Sequence, residues 1–126
     1  MTNLLVIEDE DSLRDSLVDL LEAEGYVVAQ AENGLLGTQA AEACPPDLII
    51  CDIMMPVWDG YAVLHHLRRT PTTVHIPFVF LTARADRSGS ATDAGLGEVD
   101  YVTKPFTCAS LLAVVRARLP HFEPRS

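Results

Sequence analysis

Short apolar runs of strand length recur along the chain, and segments with helical periodicity separate them. In the first helical segment Leu13, Leu17 and Leu21 share one face, and Gly25 stands where a helix end favours a left-handed residue. Further helices are predicted just before prolines, at residues 34–43, 60–69 and 110–119. The apolar runs predicted as strands are residues 4–7, 26–29, 48–51, 78–81 and 101–103.

This alternation of strands and helices predicts the fold class. The apolar runs are nearly continuous rather than alternating with polar residues, which is typical of strands buried on both faces of a parallel sheet. Right-handed crossovers then place helices on both faces of that sheet. The pattern therefore predicts a doubly wound α/β fold with five parallel strands.

The connection after the fourth predicted strand fits this pattern least well. Gly89 and Gly95 each cost a helix about 1 kcal/mol relative to alanine, and the neighbouring serine, threonine and aspartate residues bring the total to about 4 kcal/mol. Few apolar residues are present to offset that cost by packing. We therefore expect residues 87–97 to form a short, frayed helix or an irregular loop.

Length and composition agree with one globular domain. The chain has 126 residues, of which 48% are hydrophobic and 21% charged, and this is sufficient for a single core. We expect the domain to span residues 1–120, with 121–126 as a tail or the start of a linker. No apolar run is long enough for a membrane span and no secretory signal is recognisable, so we expect a cytoplasmic protein without membrane contact.

Charge and cysteine content exclude several classes of function. Eighteen acidic residues against nine basic ones give a net charge of −9, which argues against direct binding to nucleic acid. Cys44, Cys51 and Cys108 are an odd number without Cys-x-x-Cys spacing, which argues against a disulfide framework or a thiolate zinc site. The three thiols are predicted to be buried and reduced.

Polar residues follow four of the predicted strands, at the edge where ligands bind to open parallel sheets. They are Glu8 and Asp9, Asp52, Thr82 and Lys104. If the first and third strands are neighbours, Asp9 and Asp52 lie about 5 Å apart and repel each other by about 3 kcal/mol. Bound Mg²⁺ would offset this repulsion. The alternative is that residues 8–10 only place negative charge at a helix N-terminus, which is also favourable.

The chemistry that suits these residues is phosphoryl transfer. An aspartate such as Asp52 can attack phosphorus as a nucleophile. The loose transition state requires positioning and charge neutralisation, for which Mg²⁺, Lys104 and the Thr82 hydroxyl are suited. Ala83 is small enough to leave an opening for the phosphodonor.

Four segments in order along the chain resemble the receiver domains of two-component response regulators. Residues 4–10 (LLVIEDE) resemble the first strand with its acidic pair, and residues 47–61 (DLIICDIMMPVWDGY) the phosphoacceptor strand and loop. Residues 80–85 (FLTARA) and 100–106 (DYVTKPF) resemble the fourth and fifth strands. The resemblance implies the flavodoxin-like strand order 2-1-3-4-5 and a Lys104-Pro105 bond that is cis.

The resemblance also implies a role for each site residue. Asp52 would be the phosphoacceptor, Thr82 and Lys104 would hold the phosphoryl group, and Thr82 and Tyr101 would form the switch. The metal would be bound by Asp9, Asp52 and the backbone carbonyl of Met54, with Glu8 assisting through water. Since many family members have aspartate in place of Glu8, we expect the longer side chain to place its carboxylate further outward.

The partners implied by the resemblance are those of a phosphorelay. A histidine kinase or phosphotransfer protein would supply the phosphoryl group, and a downstream protein or fused domain would receive the signal. The surface formed by the fourth helix, the fifth strand and the fifth helix would contact that output and would also support a homodimer. The protein would not be a turnover enzyme, since it would catalyse only its own phosphorylation and dephosphorylation.

Other functions fit the sequence less well. A phosphohydrolase that uses aspartate usually has a second acid two residues later, where this chain has Met54. A nucleotide-binding domain would require a glycine-rich phosphate loop, which is missing here. A degenerate receiver used only for protein contacts would not need its full set of charged site residues.

Several residues near these motifs have ordinary structural interpretations. His65 and His66 point in different directions on a helix and are predicted to lie on the surface. Met54 and Met55 are predicted to fill the core. Trp58 is predicted to be half-exposed.

Overall fold

The computed structural model describes residues 2–83 and 99–119. Predictions that concern residues 87–97 and 121–126 therefore lie outside the described part of the chain. The strands are β1 (Asn3–Ile7), β2 (Val27–Ala31), β3 (Leu48–Asp52), β4 (Phe78–Thr82) and β5 (Val99–Thr103). The described helices are α1 (Asp11–Ala23), α2 (Gly34–Ala43), α3 (Gly60–Arg68) and, in this chain-order numbering, α4 (Cys108–Arg118).

The five strands form one parallel sheet in the order β2-β1-β3-β4-β5. This confirms both the doubly wound α/β class and the flavodoxin-like order. Every residue of the central strands β3 and β4 is buried. Their continuous apolar runs agree with a position in which both faces of the strand are covered. The edge strand β2 is largely exposed, which agrees with its having a neighbour on one side only.

Two apolar cores lie on opposite faces of the sheet. One packs α2 and α3 against the sheet around Ile7, Leu67 and Phe80. The other packs α1 and α4 against the opposite face around Leu21, Leu81 and Val115. Because successive residues of a strand point to opposite faces, Phe80 and Leu81 enter different cores. None of the described helices is long and apolar enough to cross a membrane.

The ends of the helices follow from local sequence signals. Gly25 has a φ of 105° after α1, as its position predicts. The side chain of Asn33 accepts a hydrogen bond from the Leu36 amide at the start of α2. Thr107 and Ser110 form a reciprocal capping box at the start of α4, which explains why this helix begins at Cys108 rather than at residue 110.

Three predictions about individual residues are wrong. Only Cys51 is buried, whereas Cys44 and Cys108 are exposed, because both lie at helix ends rather than within an apolar run. Met55 fills the core as predicted, but Met54 is 74% exposed. By contrast, Trp58 is half-buried and both histidines lie at the surface, where the Nε2 atom of His66 is 3.0 Å from Oε2 of Glu42.

Candidate functional site

The polar residues predicted from the strand ends meet at the carboxyl edge of the sheet. In the pairing of β1 with β3, Ile7 is opposite Cys51, so Glu8 follows beside Asp52. Thr82 pairs with Thr103 at the ends of β4 and β5. The amide of Lys104 donates a hydrogen bond of 2.6 Å to the carbonyl of Thr82. The carboxyl ends of these four strands therefore lie side by side at one edge of the sheet.

Three carboxylates form the centre of this group. Glu8, Asp9 and Asp52 each offer an oxygen, and these atoms all lie within 4.8 Å of one another. Glu8 is 1% and Asp52 5% exposed, whereas Asp9 faces solvent. Close carboxylates with little access to water repel each other strongly. The short separation between Asp9 and Asp52 agrees with the distance expected from neighbouring strands.

Lys104 supplies positive charge on the other side of Asp52. Its Nζ atom lies 3.3 Å from Oδ2 of Asp52 and 3.9 Å from Oε1 of Glu8. The Lys104-Pro105 bond is cis, as the resemblance implies. One ammonium group against three carboxylates leaves the group with a net negative charge, and a further cation would be attracted to it.

The Glu8 carboxylate is turned inward, which contradicts the expectation that the longer side chain would reach outward. Its Oε2 atom accepts a hydrogen bond of 3.1 Å from the amide of Glu10, and this bond folds the side chain back. Burial, supported by the charge of Asp52, raises the pKa of Glu8 to about 7, although the Glu10 amide and Lys104 oppose the rise. Within residues 2–83 and 99–119, Oε1 of Glu8 has no hydrogen-bond partner.

These features fit a hard divalent cation. The donor set consists of carboxylate oxygens from two strand ends, and it includes the buried Oε1 atom of Glu8, which accepts no hydrogen bond from the described residues. Mg²⁺ is typically held by one or two carboxylates and water, with positions left for phosphate oxygens. Met54 lies two residues after Asp52 with its side chain in solvent, so the sulfur does not fill the cluster.

The start of α3 holds the backbone beside Asp52 in place. A Cβ atom at Gly60 would lie 2.7 Å from the backbone oxygen of Asp52 and 2.9 Å from Cα of Ile53. Only glycine permits this close approach. The Gly60 amide donates a hydrogen bond of 2.9 Å to the carbonyl of Ile53, which closes the loop between β3 and α3.

Of the two residues predicted to form the switch, Thr82 ends β4 and Tyr101 lies in the middle of β5. Thr82 is 5% exposed, and Ala83 after it is exposed. The half-buried ring of Tyr101 packs on Phe80 with a centroid distance of 5.6 Å. Its hydroxyl lies 3.4 Å from that of Tyr61. Tyr61 was not predicted, because nothing in the local sequence shows that α3 and β5 meet at this point.

Arg14 is a second residue that the sequence analysis missed. Its guanidinium donates to the carbonyl of Glu8 at 2.8 Å, to Oε1 of Gln30 at 3.1 Å and to Oδ1 of Asp11 at 2.6 Å. It thereby fixes the backbone of the residue that begins the acidic pair. The spacing of three residues between Asp11 and Arg14 on a predicted helix indicates the ion pair, but not the bond to Glu8.

The chain is similar to known signalling proteins over nearly its whole length. The family model of the response regulator receiver domain matches residues 4–116. The DNA-binding dual master transcriptional regulator RpaA of Synechocystis is 40% identical over 119 residues, which cover 94% of this chain and 49% of that protein. The chain thus spans about half the length of the curated relatives it matches.

Solved structures show the same likeness. The N-terminal domain of a response regulator receiver protein from Methanoculleus marisnigri has a TM-score of 0.76 at 33% identity, covering 97% of this chain and 99% of that one. The receiver domain of the sensor histidine kinase PA1611 from Pseudomonas aeruginosa, solved with a magnesium ion coordinated in its active site cleft, has a TM-score of 0.82 at 26% identity, covering 94% of this chain and 98% of that one. With its sheet order and converging strand ends, this chain belongs to the family of response regulator receiver domains of two-component systems.

Proposed function

We propose that the protein is a phosphorylation-dependent switch in which Asp52 accepts a phosphoryl group from a histidine kinase or phosphotransfer protein. The observation that carries this proposal is the position of the Asp52 carboxylate. It lies at a strand end within a group of three carboxylates and 3.3 Å from the ammonium group of Lys104. This arrangement supports the proposal, because the carboxylate proposed as the nucleophile lies beside an ammonium group whose charge suits a phosphoryl anion.

The reaction depends on Mg²⁺ held by Asp9, Asp52 and the backbone carbonyl of Met54, with Glu8 assisting through water. The closeness of the carboxylates supports this assignment, and so does the buried Oε1 atom of Glu8, which has no hydrogen-bond partner among residues 2–83 and 99–119. When bound, the ion neutralises the oxygens of the transferred group. The magnesium ion in the active site cleft of the PA1611 receiver domain is a further argument for the same metal.

The protein's own residues then have distinct roles in the transfer. A carboxylate oxygen of Asp52 bonds to phosphorus while the bond between phosphorus and the donor imidazole nitrogen breaks, and the imidazole leaves with the electron pair. Lys104 holds one phosphoryl oxygen by its charge, and the Thr82 hydroxyl donates a hydrogen bond to another. Ala83, which is exposed beside Thr82, leaves room for the donor to approach.

Transmission of the signal involves Thr82 and Tyr101. Movement of the Thr82 hydroxyl toward the phosphoryl group leaves space that the Tyr101 ring enters, and the surface that includes β5 and the C-terminal helix changes shape. A downstream protein or a fused domain recognises that surface, and so does a second copy of the receiver in a homodimer. Residues 1–120 constitute this cytoplasmic module, and its catalysis is confined to its own phosphorylation and dephosphorylation.

Phosphorylation by a small donor tests the proposal. Incubation with acetyl phosphate and Mg²⁺ should add the mass of one phosphoryl group to the protein, and Asp52→Asn should remain unmodified. Asp59→Asn is a control, since Asp59 is another aspartate of the same loop. Its amide can still cap α3, where the carboxylate now accepts the Ala62 amide at 2.9 Å. Equal labelling of Asp52→Asn and the parent protein would refute the assignment.

A further inference from the structure

The loop between β3 and α3 contains a tight turn with an apolar side chain at its apex. Val57 has a φ of 68°, and the Trp58 amide donates a hydrogen bond of 2.8 Å to the carbonyl of Pro56. These are features of a γ-turn, a strained conformation. A β-branched residue is strongly disfavoured at positive φ. The side chain of Val57 is nevertheless 99% exposed, so packing inside the domain does not account for its conformation.

This turn forms one wall of a cleft, and the start of α2 forms the other. The cleft has a volume of about 330 Å³ and is lined by Asn33, Gly34, Leu35, Pro56, Val57 and Trp58. The two walls touch at the bottom, where a Cβ atom at Gly34 would lie 2.5 Å from Cβ of Trp58. Leu35, on the helical wall, is 49% exposed. Two apolar side chains on separate elements therefore face solvent on either side of one depression.

Acidic residues adjoin both segments that line the cleft. Glu32 and Asp59, both exposed, come directly before and directly after segments that line it. The whole chain carries a charge of −9. A nucleic acid or an anionic membrane would be repelled here, and a second copy of the chain would bring the same acidic residues against each other. Charge complementarity therefore selects a basic protein segment as the occupant.

We propose that this cleft is a docking site for a basic segment of a partner protein. The partner places an apolar side chain between Val57 and Leu35, and it places lysine or arginine residues beside Glu32 and Asp59. Apolar anchors surrounded by complementary charge are the usual source of affinity and specificity in such contacts. The strained turn is then explained, because it presents Val57 to the partner rather than to the core. The proposal does not depend on phosphoryl transfer at Asp52.

Synthetic peptides test the docking site directly. Trp58 lines the cleft and is the only tryptophan of the chain, so its emission reports occupancy without a label. The probe is a tryptophan-free helical peptide with two leucines on one face and lysines beside them. We expect a saturable change in Trp58 emission that weakens at least tenfold when the lysines are replaced by glutamate or the leucines by alanine.

Matched variants of the protein locate the binding. Val57→Ala should weaken peptide binding at least tenfold, whereas Val27→Ala, at an exposed valine of the edge strand β2, should not. Glu32→Gln should weaken binding several-fold and Asp19→Asn, on the exposed surface of α1, should not. Val57→Gly should weaken binding and yet raise the Tm by about 3 °C, because glycine relieves the positive φ.

Three outcomes would overturn the proposal. Equal affinities for the Val57 and Val27 variants would show that the peptide binds elsewhere. Equal binding of the lysine and glutamate peptides would show that charge does not select the partner. Sedimentation that reveals a dimer abolished by Val57→Ala would assign the cleft to a second copy of the chain instead.

Discussion

Both the middle of β3 and its carboxyl end are buried, but the middle is apolar and the end carries a carboxylate. Residues 48–51 of this strand are apolar and 0% exposed, and they pack into the cores on the two faces of the sheet. One residue later Asp52 is 5% exposed and lies beside two other carboxylates. Burial of the apolar side chains stabilises the fold, whereas burial of neighbouring carboxylates opposes it. The difference separates residues that build the domain from residues that are present for its function.

The largest expected effect is on the free energy of unfolding, and it comes from the apolar core. Leu67 is 0% and Leu35 49% exposed, so the same leucine-to-alanine change tests both environments. Leu67→Ala should lower the free energy of unfolding by about 3 kcal/mol, because it leaves a cavity in the core. Leu35→Ala should change it by less than about 0.5 kcal/mol. Urea denaturation measures the free energy of unfolding of both variants. Equal decreases would contradict this difference and would mean that the exposed Leu35 contributes as much to stability as the buried Leu67.

Lys104→Ala should separate phosphoryl chemistry from metal binding. The Lys104 ammonium group lies 3.3 Å from Asp52, where it would hold an incoming phosphoryl oxygen. Its loss should slow phosphorylation by acetyl phosphate about 10²-fold, the size of effect that loss of one electrostatic contact to the transition state has in enzymes. Mg²⁺ affinity should be retained or increased, because the variant removes a competing positive charge. Unchanged phosphorylation kinetics would contradict the role given to this residue.

Glu8→Gln should have a smaller effect, and the effect should depend on pH. Because burial raises the pKa of Glu8 to about 7, the folded protein binds a proton that the unfolded chain has already released. Stability without metal should therefore fall as pH rises from about 4.5 to about 7. The variant lacks this loss and should be more stable than the parent at pH 7 by on the order of 2 kcal/mol. Chemical denaturation in EDTA at pH 5 and pH 7.5 measures the difference, and parallel pH profiles would contradict it.

The parallel sheet with helices on both faces was predictable from burial pattern and chain order, whereas its strand order was implied by the family resemblance. The continuous apolar runs indicated parallel strands, and Gly25 marked the end of α1. The strand-end rule then indicated which polar residues would meet, and the structure brings Glu8, Asp9 and Asp52 together. Their proposed roles in metal binding and transfer remain predictions.

Other features depend on contacts between distant segments, which a local pattern does not contain. The inward turn of Glu8 depends on the Glu10 amide, and the contact of Tyr61 with Tyr101 depends on how α3 packs over β4. The exposure of Met54 depends on the path of the loop after β3. The helix α4 also begins two residues earlier than predicted, because Thr107 is its N-cap.

The response of thermal stability to Mg²⁺ tests most directly whether the acidic edge of the sheet is a functional cation site. Asp9→Asn is the matched variant, because Asp9 is exposed and the change removes one charge without disturbing the core. With ionic strength held constant, Mg²⁺ should raise the Tm of the parent protein, and the rise should grow with the logarithm of the Mg²⁺ concentration once that concentration exceeds the dissociation constant. The rise should be largely lost in Asp9→Asn. A parent protein that shows no rise, or a variant that shows the same one, would contradict the account.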